Sequence, residues 1–361
     1  MKKKFFIIIL NIFVIIICYT IIGIWGLFDI KNYDDFLFSD KKNLNFHKYY
    51  SDKMHHLRNV NMWNEKEYLF SSIYQDNNFG KTILFQGDSW IEDISKNELA
   101  RQFLIKYGKN KKFNILNAGI TSFAPSVIHA QYKVLKNDFL IKPDILIIYI
   151  DQTDIGDEFC RYKNNKVYSN EKFSHVKREK FTRATYDYSK SYLYSELALE
   201  NNLNKIIKFP YLKLNYFFNR NVNLIKQISV NGLENRNRSK CGFQEIMKEL
   251  ISYNEEAEKV FKKSLIELLD FLSNEIYLEK IILISFPHIH HHKNLYTVNV
   301  SNYIEDTIQK INHKKIEHLN LNNLDFSNIN VDEIFRKNDP GSHLNDKYHL
   351  ELFIKKIISN I

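Results

Sequence analysis

The sequence predicts an α/β domain whose parallel sheet is covered by helices on both faces. From about residue 79 onward, short apolar segments alternate with helical patterns, and the apolar segments lack an alternating polar face. Strands buried on both faces have this continuous apolar pattern, and their alternation with helices is typical of parallel sheets. Hydrophobic residues make up 44% and aromatic residues 14% of the 361 residues, which suffices for a packed core.

Four strands and four helices follow from this pattern. Each predicted strand is short, rich in Ile, Leu or Phe, and bounded by turn residues or proline. The strands are expected at 82–86, 113–117, 145–150 and 281–286, and the helices at 95–107, 126–136, 245–272 and 346–359. A weaker helical pattern, from about Glu65 to Ile73, precedes the first strand.

The N-terminus predicts a membrane anchor. Lys2, Lys3 and Lys4 precede an almost unbroken apolar run from Phe5 to Phe28, long enough to cross a hydrocarbon core of roughly 30 Å. Its length and the lack of a small-residue cleavage site favour an uncleaved anchor, with a long cleaved signal as the alternative. Because lysines stay on the cytoplasmic side, the rest of the chain is expected in the periplasm or outside the cell.

Three parts of the chain are predicted. Residues 1–28 form the cytoplasmic tip and transmembrane anchor, residues 29–78 a tether with a packing helix, and residues 79–361 the α/β domain. The stretch 157–241 interrupts the alternation of strands and helices and is too long for an ordinary crossover. We expect a helical insertion there, with a helical pattern at 189–205 and an aromatic patch at 209–218, which either packs on the domain or forms a lid.

Charge and cysteine content limit the partners and cofactors. The net charge of +9 is spread along the chain and no nucleic-acid motif accompanies it, so we predict no nucleic-acid partner. Cys160 and Cys241 can pair in an oxidising compartment or remain two free thiols, and Cys18 lies in the apolar run. No Cys-x-x-Cys motif exists, and no cofactor is predicted.

The strongest chemical signal is the turn Gly87-Asp88-Ser89-Trp90 directly after the first strand. Glycine permits a tight turn, and the serine then opens a helix whose N–H groups favour developing negative charge. Such a serine can be a nucleophile if a base lies nearby. Alone, Asp88-Ser89 can equally be an ordinary helix cap.

Three further polar blocks lie where they can reach Ser89, because parallel strands end at one edge of the sheet. His343, just before the last helix, can be the general base, and Asp339 can fix its tautomer and stabilise the imidazolium. The blocks are Asn117-Ala118-Gly119 after the second strand, Asp151-Gln152-Thr153-Asp154 after the third, and Asp339 to His343.

These blocks, in this order, resemble the SGNH/GDSL hydrolase superfamily over roughly residues 80–361, apart from the insertion. The resemblance implies a three-layer α/β/α flavodoxin-like domain and ester hydrolysis or acyl transfer. It also implies an oxyanion hole made by the N–H of Ser89, the N–H of Gly119 and a side-chain amide from the third block.

Two positions depart from the family pattern. The third block usually reads Gly-x-Asn-Asp, and Thr153 stands where the asparagine is expected, so Thr153 and Gln152 are both candidate oxyanion donors. The family's aspartate commonly precedes its histidine by three positions, whereas Asp339 precedes His343 by four.

The rim of the site has two further candidates, Asp154 and His288. His288 opens the histidine-rich stretch 288–292 after the fourth strand. Such a stretch can bind zinc or copper, but without a clear additional ligand set we predict no metal and expect a loop at the mouth of the site.

The leading hypothesis is a serine esterase acting on O-acyl esters outside the cytoplasm, with acylated polysaccharide as one candidate substrate. An O-acyltransferase of cell-surface polysaccharide shares the same triad, and would need a membrane partner or soluble donor to supply the acyl group. A non-catalytic assembly or binding protein that retains the fold is the alternative outside enzymology.

Overall fold

The structure is a computed structural model that describes most of the chain. The chain divides into two compact units, one of residues 1–50, 60–65 and 179–237, the other of residues 51–59, 66–178 and 238–361. The described residues are 2–31, 41–58, 65–177, 201–211, 241, 246, 254–293, 295–324, 330–337, 339 and 343–361.

The first unit is helical where it is described. Helix α1 spans Lys2–Lys31, and residues 202–211 form a second helix packed on it. The Tyr19 hydroxyl donates to the Ile207 carbonyl (2.6 Å), and a Cβ added to Gly26 would lie 2.3 Å from the ring of Phe209, so glycine permits this approach. As to the predicted anchor, no described helix combines the length and apolarity needed to cross a bilayer.

A six-stranded sheet forms the centre of the second unit. Its strand order is β1-β3-β2-β4-β7-β8, and only β1 runs antiparallel to its neighbour. In chain order, the five parallel strands therefore stand as 2-1-3-4-5, the flavodoxin-like arrangement. The strands are β1 Ser71–Tyr74, β2 Lys81–Gln86, β3 Phe113–Asn117, β4 Ile145–Tyr149, β7 Lys280–Ser285 and β8 Ile316–Asn320, with a separate hairpin of β5 Lys166–Ser169 and β6 Lys172–Val176.

Helices cover both faces of this sheet, as the apolar strands predict. On one face, alternate strand residues such as Phe85, Ile147 and Ile284 pack against α3, α4 and the C-terminal helices. On the other face, Gln86 of β2 donates to Gln131 of α5 at 2.6 Å. Helix α2, Lys41–Met54, begins in the first unit and ends in the second. The labelled helices that follow it are α3 Ser89–Glu92, α4 Glu98–Lys111, α5 Pro125–Asp138, α6 Asp154–Asp157, α7 Asn254–Ser273, α8 Ile289–His292, α9 Val300–Ile311, α10 Val331–Ile334, α11 Asp346–Tyr348 and α12 Lys355–Ile358.

The four predicted strands are confirmed to within one residue at each end, whereas several weaker predictions are wrong or incomplete. The helical pattern at 65–73 becomes a 3₁₀ turn (Glu65–Tyr68) and strand β1, because the chain pairs with the edge of β3. Strand β8 was not predicted, since its sequence IEHLN offers few apolar residues. The last helix is interrupted by a π-helical turn at His349–Ile354.

The insertion predicted as helical contains a hairpin. Strands β5 and β6 meet at Asn170 and Glu171, which both have positive φ (49° and 65°), as a two-residue type I′ turn requires. Of the helical pattern at 189–205, residues 189–200 lie outside the described residues, as does the aromatic patch beyond Tyr211. Cys160 and Cys241 form a disulfide with a Cα–Cα distance of 5.8 Å, which resolves the alternatives left open by the sequence.

Candidate active site

Ser89 is the first residue of α3, directly beyond the carboxyl end of β2. Gly87 adopts φ +148°, and a Cβ there would lie 2.9 Å from the Tyr149 carbonyl oxygen, so the turn requires glycine. Asp88 caps the helix by accepting the Trp90 N–H at 2.9 Å. Asp88 is therefore an ordinary helix cap, and Ser89 lies half-buried at the start of the same helix.

The residue after the serine fixes this helix in the core. The Trp90 ring is buried and lies 5.2 Å from Phe286 and 5.7 Å from Phe353, between centroids. The same ring lies 6.4 Å from the imidazole of His343. A side chain of the serine-bearing helix thus packs against both the core and the predicted base.

The structure brings Asp339 and His343 together despite their unusual spacing. An Asp339 carboxylate oxygen lies 2.6 Å from His343 Nδ1 and 3.3 Å from the His343 backbone N–H. Since an ionised carboxylate only accepts, Nδ1 carries the proton and Nε2 presents a lone pair. Nε2 is buried and has no hydrogen-bond partner within the described residues.

The loop that carries this pair is held against α3 by Arg336, a residue that no sequence motif indicated. Its guanidinium lies 2.7 Å from Asp93, just after α3, and 2.8 Å from Asp346 at the start of α11. Its backbone N–H donates to the His343 carbonyl at 2.8 Å. Arg336 therefore connects the loop that carries His343 to the residue that follows α3.

The loop after β3 is bonded closely to α3. A Cβ on Gly119 would lie 2.3 Å from the Glu92 nitrogen, so this contact also requires glycine. The Ile120 N–H donates to the Gly87 carbonyl (3.0 Å), and Glu92 accepts the Thr121 N–H (2.8 Å). The Gly119 N–H itself donates to Asn117 Oδ1 at 2.8 Å, so this candidate oxyanion donor has an acceptor already.

Arg58, a second residue that the sequence did not point to, also holds the loop after β3. Arg58 is buried and donates to the Gly119 carbonyl at 2.9 Å and to the Asn117 carbonyl at 2.8 Å. It lies in the stretch predicted as a tether, where a single arginine gives no recognisable signal.

The side chains after β4 bond within the protein. The Thr153 hydroxyl donates to the Asp151 carboxylate, and the Thr153 N–H donates to the same oxygen at 3.1 Å. The Gln152 side chain donates to the Val298 carbonyl and accepts the Val300 N–H at 2.9 Å. Neither side chain is placed as an uncommitted donor beside Ser89.

Buried carboxyl groups lie next to the serine in the chain and in the loop after β4. Asp154, predicted at the rim, has 0% exposure and accepts the Asp151 N–H at 3.0 Å. Burial raises the pKa of Asp154 well above its usual range, and the charges of Asp88 and Asp151 raise it further. Burial likewise raises the pKa of Asp88, with Asp151 as the next cause. Burial and mutual repulsion therefore both favour the protonated form of Asp154 and of Asp88.

The histidine-rich loop follows β7, the neighbour of β4 in the sheet. His288 is 2% exposed, and burial lowers its pKa to about 4. The charge of Asp151 opposes this lowering of the pKa, whereas the charge of His343 adds to it. Its ring centroid lies 5.2 Å from that of Tyr296. Among the described residues, no group of three or more His, Cys, Asp or Glu side chains is arranged to hold a metal ion.

Comparisons with known proteins add little to this geometry. No protein-family model and no curated sequence matches the chain. Similar solved structures include a catalytic mutant of an acetylxylan esterase from Geobacillus stearothermophilus (TM-score 0.39, 11% identity, 79% of this chain and 95% of that chain). Another is an α/β hydrolase from the metagenome of Lake Arreo (0.36, 10%, 78% and 94%).

A third is an acetyl xylan esterase from the rumen bacterium Butyrivibrio proteoclasticus, with a TM-score of 0.34 at 11% identity over 79% of this chain and 64% of that chain. Scores at this level assign neither a family nor an activity to the chain. What the fold itself shows is a mixed α/β domain with a mostly parallel central sheet.

Proposed function

We propose that this chain is a serine esterase that uses Ser89, His343 and Asp339. The observation that carries the proposal is the Asp339–His343 pair, 2.6 Å apart, whose Nε2 is buried without a partner in the described part of the chain. That imidazole lies against Trp90, the residue next to Ser89. A serine at a helix start, a base and an orienting carboxylate are the parts that acyl transfer requires.

In the proposed reaction, Ser89 Oγ attacks the carbonyl carbon of an ester while His343 Nε2 takes the hydroxyl proton. Asp339 stabilises the imidazolium that forms. When the tetrahedral intermediate collapses, the C–O bond to the alcohol breaks and His343 returns the proton to that alcohol. Water, activated by the same histidine, then releases the acyl group as a carboxylic acid.

The first oxyanion donor in this proposal is the backbone N–H of Ser89. As the first residue of α3 it has no acceptor within the helix, and Asp88 caps Trp90 instead. No acceptor for it lies within the described residues. The helix start favours the negative charge that develops on the carbonyl oxygen.

For the substrate we propose O-acyl esters, with acylated carbohydrate as the first class to examine. The experiment is to incubate the purified chain with a fluorophosphonate probe, locate the adduct by peptide mass spectrometry, and compare wild type with Ser89→Ala. We expect an adduct on Ser89 and hydrolysis of acetyl esters, with activity falling by about 10⁴-fold or more in the variant.

A folded wild-type chain that gains no adduct, and whose weak hydrolysis is unchanged by Ser89→Ala, would reject the esterase. Hydrolysis of acetylated xylo-oligosaccharide but not of a simple aryl acetate would favour carbohydrate esters. Acetyl transfer to an added sugar, dependent on that sugar, would identify an acyltransferase.

The second candidate is a non-catalytic binding protein. It is favoured by one observation: the Gly119 N–H and the Thr153 hydroxyl are engaged by neighbouring side chains rather than directed to an open position. Equal complementation of a deletion strain by wild type and by Ser89→Ala would support this candidate over the esterase.

We further propose that the domain works outside the cytoplasm, anchored by residues 1–28. Support comes from the lysines before the apolar run and from the Cys160–Cys241 disulfide, since such bonds persist in oxidising compartments. Maleimide labelling of a cysteine introduced at an exposed position such as Ser169 of β5, in intact cells and in lysed cells, tests this location.

A further inference from the structure

The loops after β3 and β4 leave the proposed oxyanion hole with few donors. Besides the Ser89 N–H, the sequence offered Gly119, Thr153 and Gln152, and all three have acceptors within the protein. A tetrahedral intermediate ordinarily needs more than one donor, because removing a single donor slows the chemical step by about 10²–10³-fold. For the proposed esterase, a further donor is therefore needed from another element at this edge of the sheet.

The loop after β7 presents such a donor with a defined tautomer. His288 Nδ1 accepts the His290 N–H at 3.2 Å and so lacks a proton. In the neutral ring the proton then resides on Nε2, which makes Nε2–H a donor. No acceptor for this N–H lies among the described residues. The reciprocal bond, from the His288 N–H to His291 Nδ1 at 3.2 Å, fixes the backbone.

The third block holds this loop in place instead of supplying the donor itself. The Val298 carbonyl lies 2.8 Å from His291 Nε2 and also accepts the Gln152 side-chain amide. Gln152 additionally accepts the Val300 N–H at 2.9 Å. A continuous chain of hydrogen bonds therefore runs from the end of β4 through Val298 and His291 to the backbone of His288.

His288 also lies on the correct side of the sheet. It follows β7, which pairs with β4, and β4 is the strand beside β2 and Ser89. Phe286, two residues before it, contacts Trp90, and Trp90 contacts His343. The charges of Asp151 and His343 both act on the His288 ring.

We propose that His288 Nε2–H is an oxyanion donor of this site and replaces the amide expected at Thr153. The inference rests on the proposed esterase function. His288 would donate to the carbonyl oxygen as negative charge develops on it, while Gln152 and His291 act as positioning residues. The interaction is made mainly in the transition state, so its loss lowers kcat and leaves KM nearly unchanged.

Two substitutions separate the donor from the helix cap. His288→Asn places an amide oxygen near the Nδ1 position, which keeps the bond to the His290 N–H but removes the Nε2 donor. His288→Gln places an amide near the Nε2 position, which keeps a donor but removes the cap. Steady-state kinetics on an acetyl ester and thermal unfolding are measured for wild type and both variants.

An oxyanion donor predicts that His288→Asn lowers kcat by about 10²-fold or more with KM within about threefold, while His288→Gln keeps at least about a tenth of wild-type kcat. The melting temperatures should rank the other way, with His288→Gln the less stable variant. A structural role would make activity follow stability, and a rim contact would raise KM; either result overturns the proposal.

The same kinetics distinguish failure of the His288 donor from failure of the proposed esterase. Wild-type hydrolysis that depends on Ser89 but stays within about threefold in His288→Asn rejects the His288 donor alone. A wild-type chain without any hydrolysis that depends on Ser89 rejects both.

Discussion

The loop after β4 and the loop after β7 follow adjacent strands, yet their polar groups differ in hydrogen bonding and in the direction of their pKa shifts. After β4, the side chains of Gln152, Thr153 and Asp154 all bond inward, and the carboxyl group of Asp154 is buried with a raised pKa. After β7, His288 is buried with a pKa lowered to about 4, and its Nε2–H has no acceptor within the described residues.

The difference shows that a motif position does not fix the role of its side chain. The resemblance assigned the oxyanion donor to the loop after β4, because that is where the family places its asparagine. In this chain a threonine stands there, and its hydroxyl is bonded to the Asp151 carboxylate beside it. In our proposal the donor comes from the loop after the neighbouring strand, since both loops begin at the same edge of the sheet.

The largest expected effect is on stability and concerns the Cys160–Cys241 disulfide, which lies in the segment that follows β4. The chain reaches Cys160 shortly after α6, and the disulfide to Cys241 closes a long segment, whereas the β7 loop is held by hydrogen bonds. Replacing both cysteines by serine should lower the free energy of unfolding by about 2–5 kcal/mol.

Chemical denaturation measures this change, and Cys18→Ser, which removes an exposed free thiol, is the matched control. Equal midpoints for the double variant and wild type under oxidising conditions would mean that the two cysteines are not bonded.

Breaking the hydrogen bond from Gln152 to the Val298 carbonyl, which connects the two loops, should have the next largest effect. Gln152→Glu preserves shape but replaces the amide that donates to Val298 by a buried carboxylate oxygen. We expect kcat to fall by roughly 10–100-fold, the cost of a misplaced supporting group. Gln309→Glu, on the exposed side of α9, is the control. Unchanged kcat in Gln152→Glu would show that the β7 loop holds its position without the β4 loop.

The contributions of Asp154 and of His288 to stability should change in opposite directions as pH rises. The folded-state pKa of Asp154 is raised, so its contribution to stability is present below the unfolded pKa of about 3.9 and is lost as pH rises through the folded value. Asp154→Asn, which mimics the protonated acid, should therefore raise the melting temperature at pH 8 by at least about 2 °C and less at pH 5.

The folded-state pKa of His288 is lowered, so its contribution is present above about 6.5 and is lost as pH falls toward 4. His288→Gln should flatten the acid side of the melting curve plotted against pH. Parallel pH profiles for wild type and both variants would contradict the two pKa directions.

The smallest expected effect is at the position where the sequence placed the donor. Thr153→Val removes the hydroxyl but keeps the shape of the side chain, and so breaks only the bond to Asp151. We expect kcat within about threefold of wild type and a loss of roughly 1 kcal/mol in stability. If kcat instead falls by about two orders of magnitude at constant KM, Thr153 is restored as the oxyanion donor.

Much of the sheet was predictable, because strands buried on both faces leave a strong apolar pattern. Ile145–Tyr149 is buried throughout, and its boundaries were predicted within one residue. Edge strands give a weaker signal, since only part of their surface enters the core. Strand β8, with an exposed Glu317, and the short strand β1 were missed for this reason.

The candidate site was predictable where the residues that interact are close together in the sequence. Ser89 at a strand end and Asp339 near His343 can be read from the sequence. The bond partners of Gln152 cannot, because Val298 and Val300 lie far away along the chain and the family pattern gives no hint of them. Arg336 and Arg58 were missed because a single arginine has many possible partners until the fold brings particular ones near.

The most direct test of the triad is the second-order rate constant with which a fluorophosphonate modifies Ser89 in wild type and in His343→Gln. In this reaction the Ser89 Oγ–P bond forms, fluoride leaves and His343 takes the hydroxyl proton. We expect the rate constant to fall by at least about 10³-fold in His343→Gln, with an unchanged fold by circular dichroism. A rate constant within about tenfold of wild type would contradict the assignment of His343 as the base.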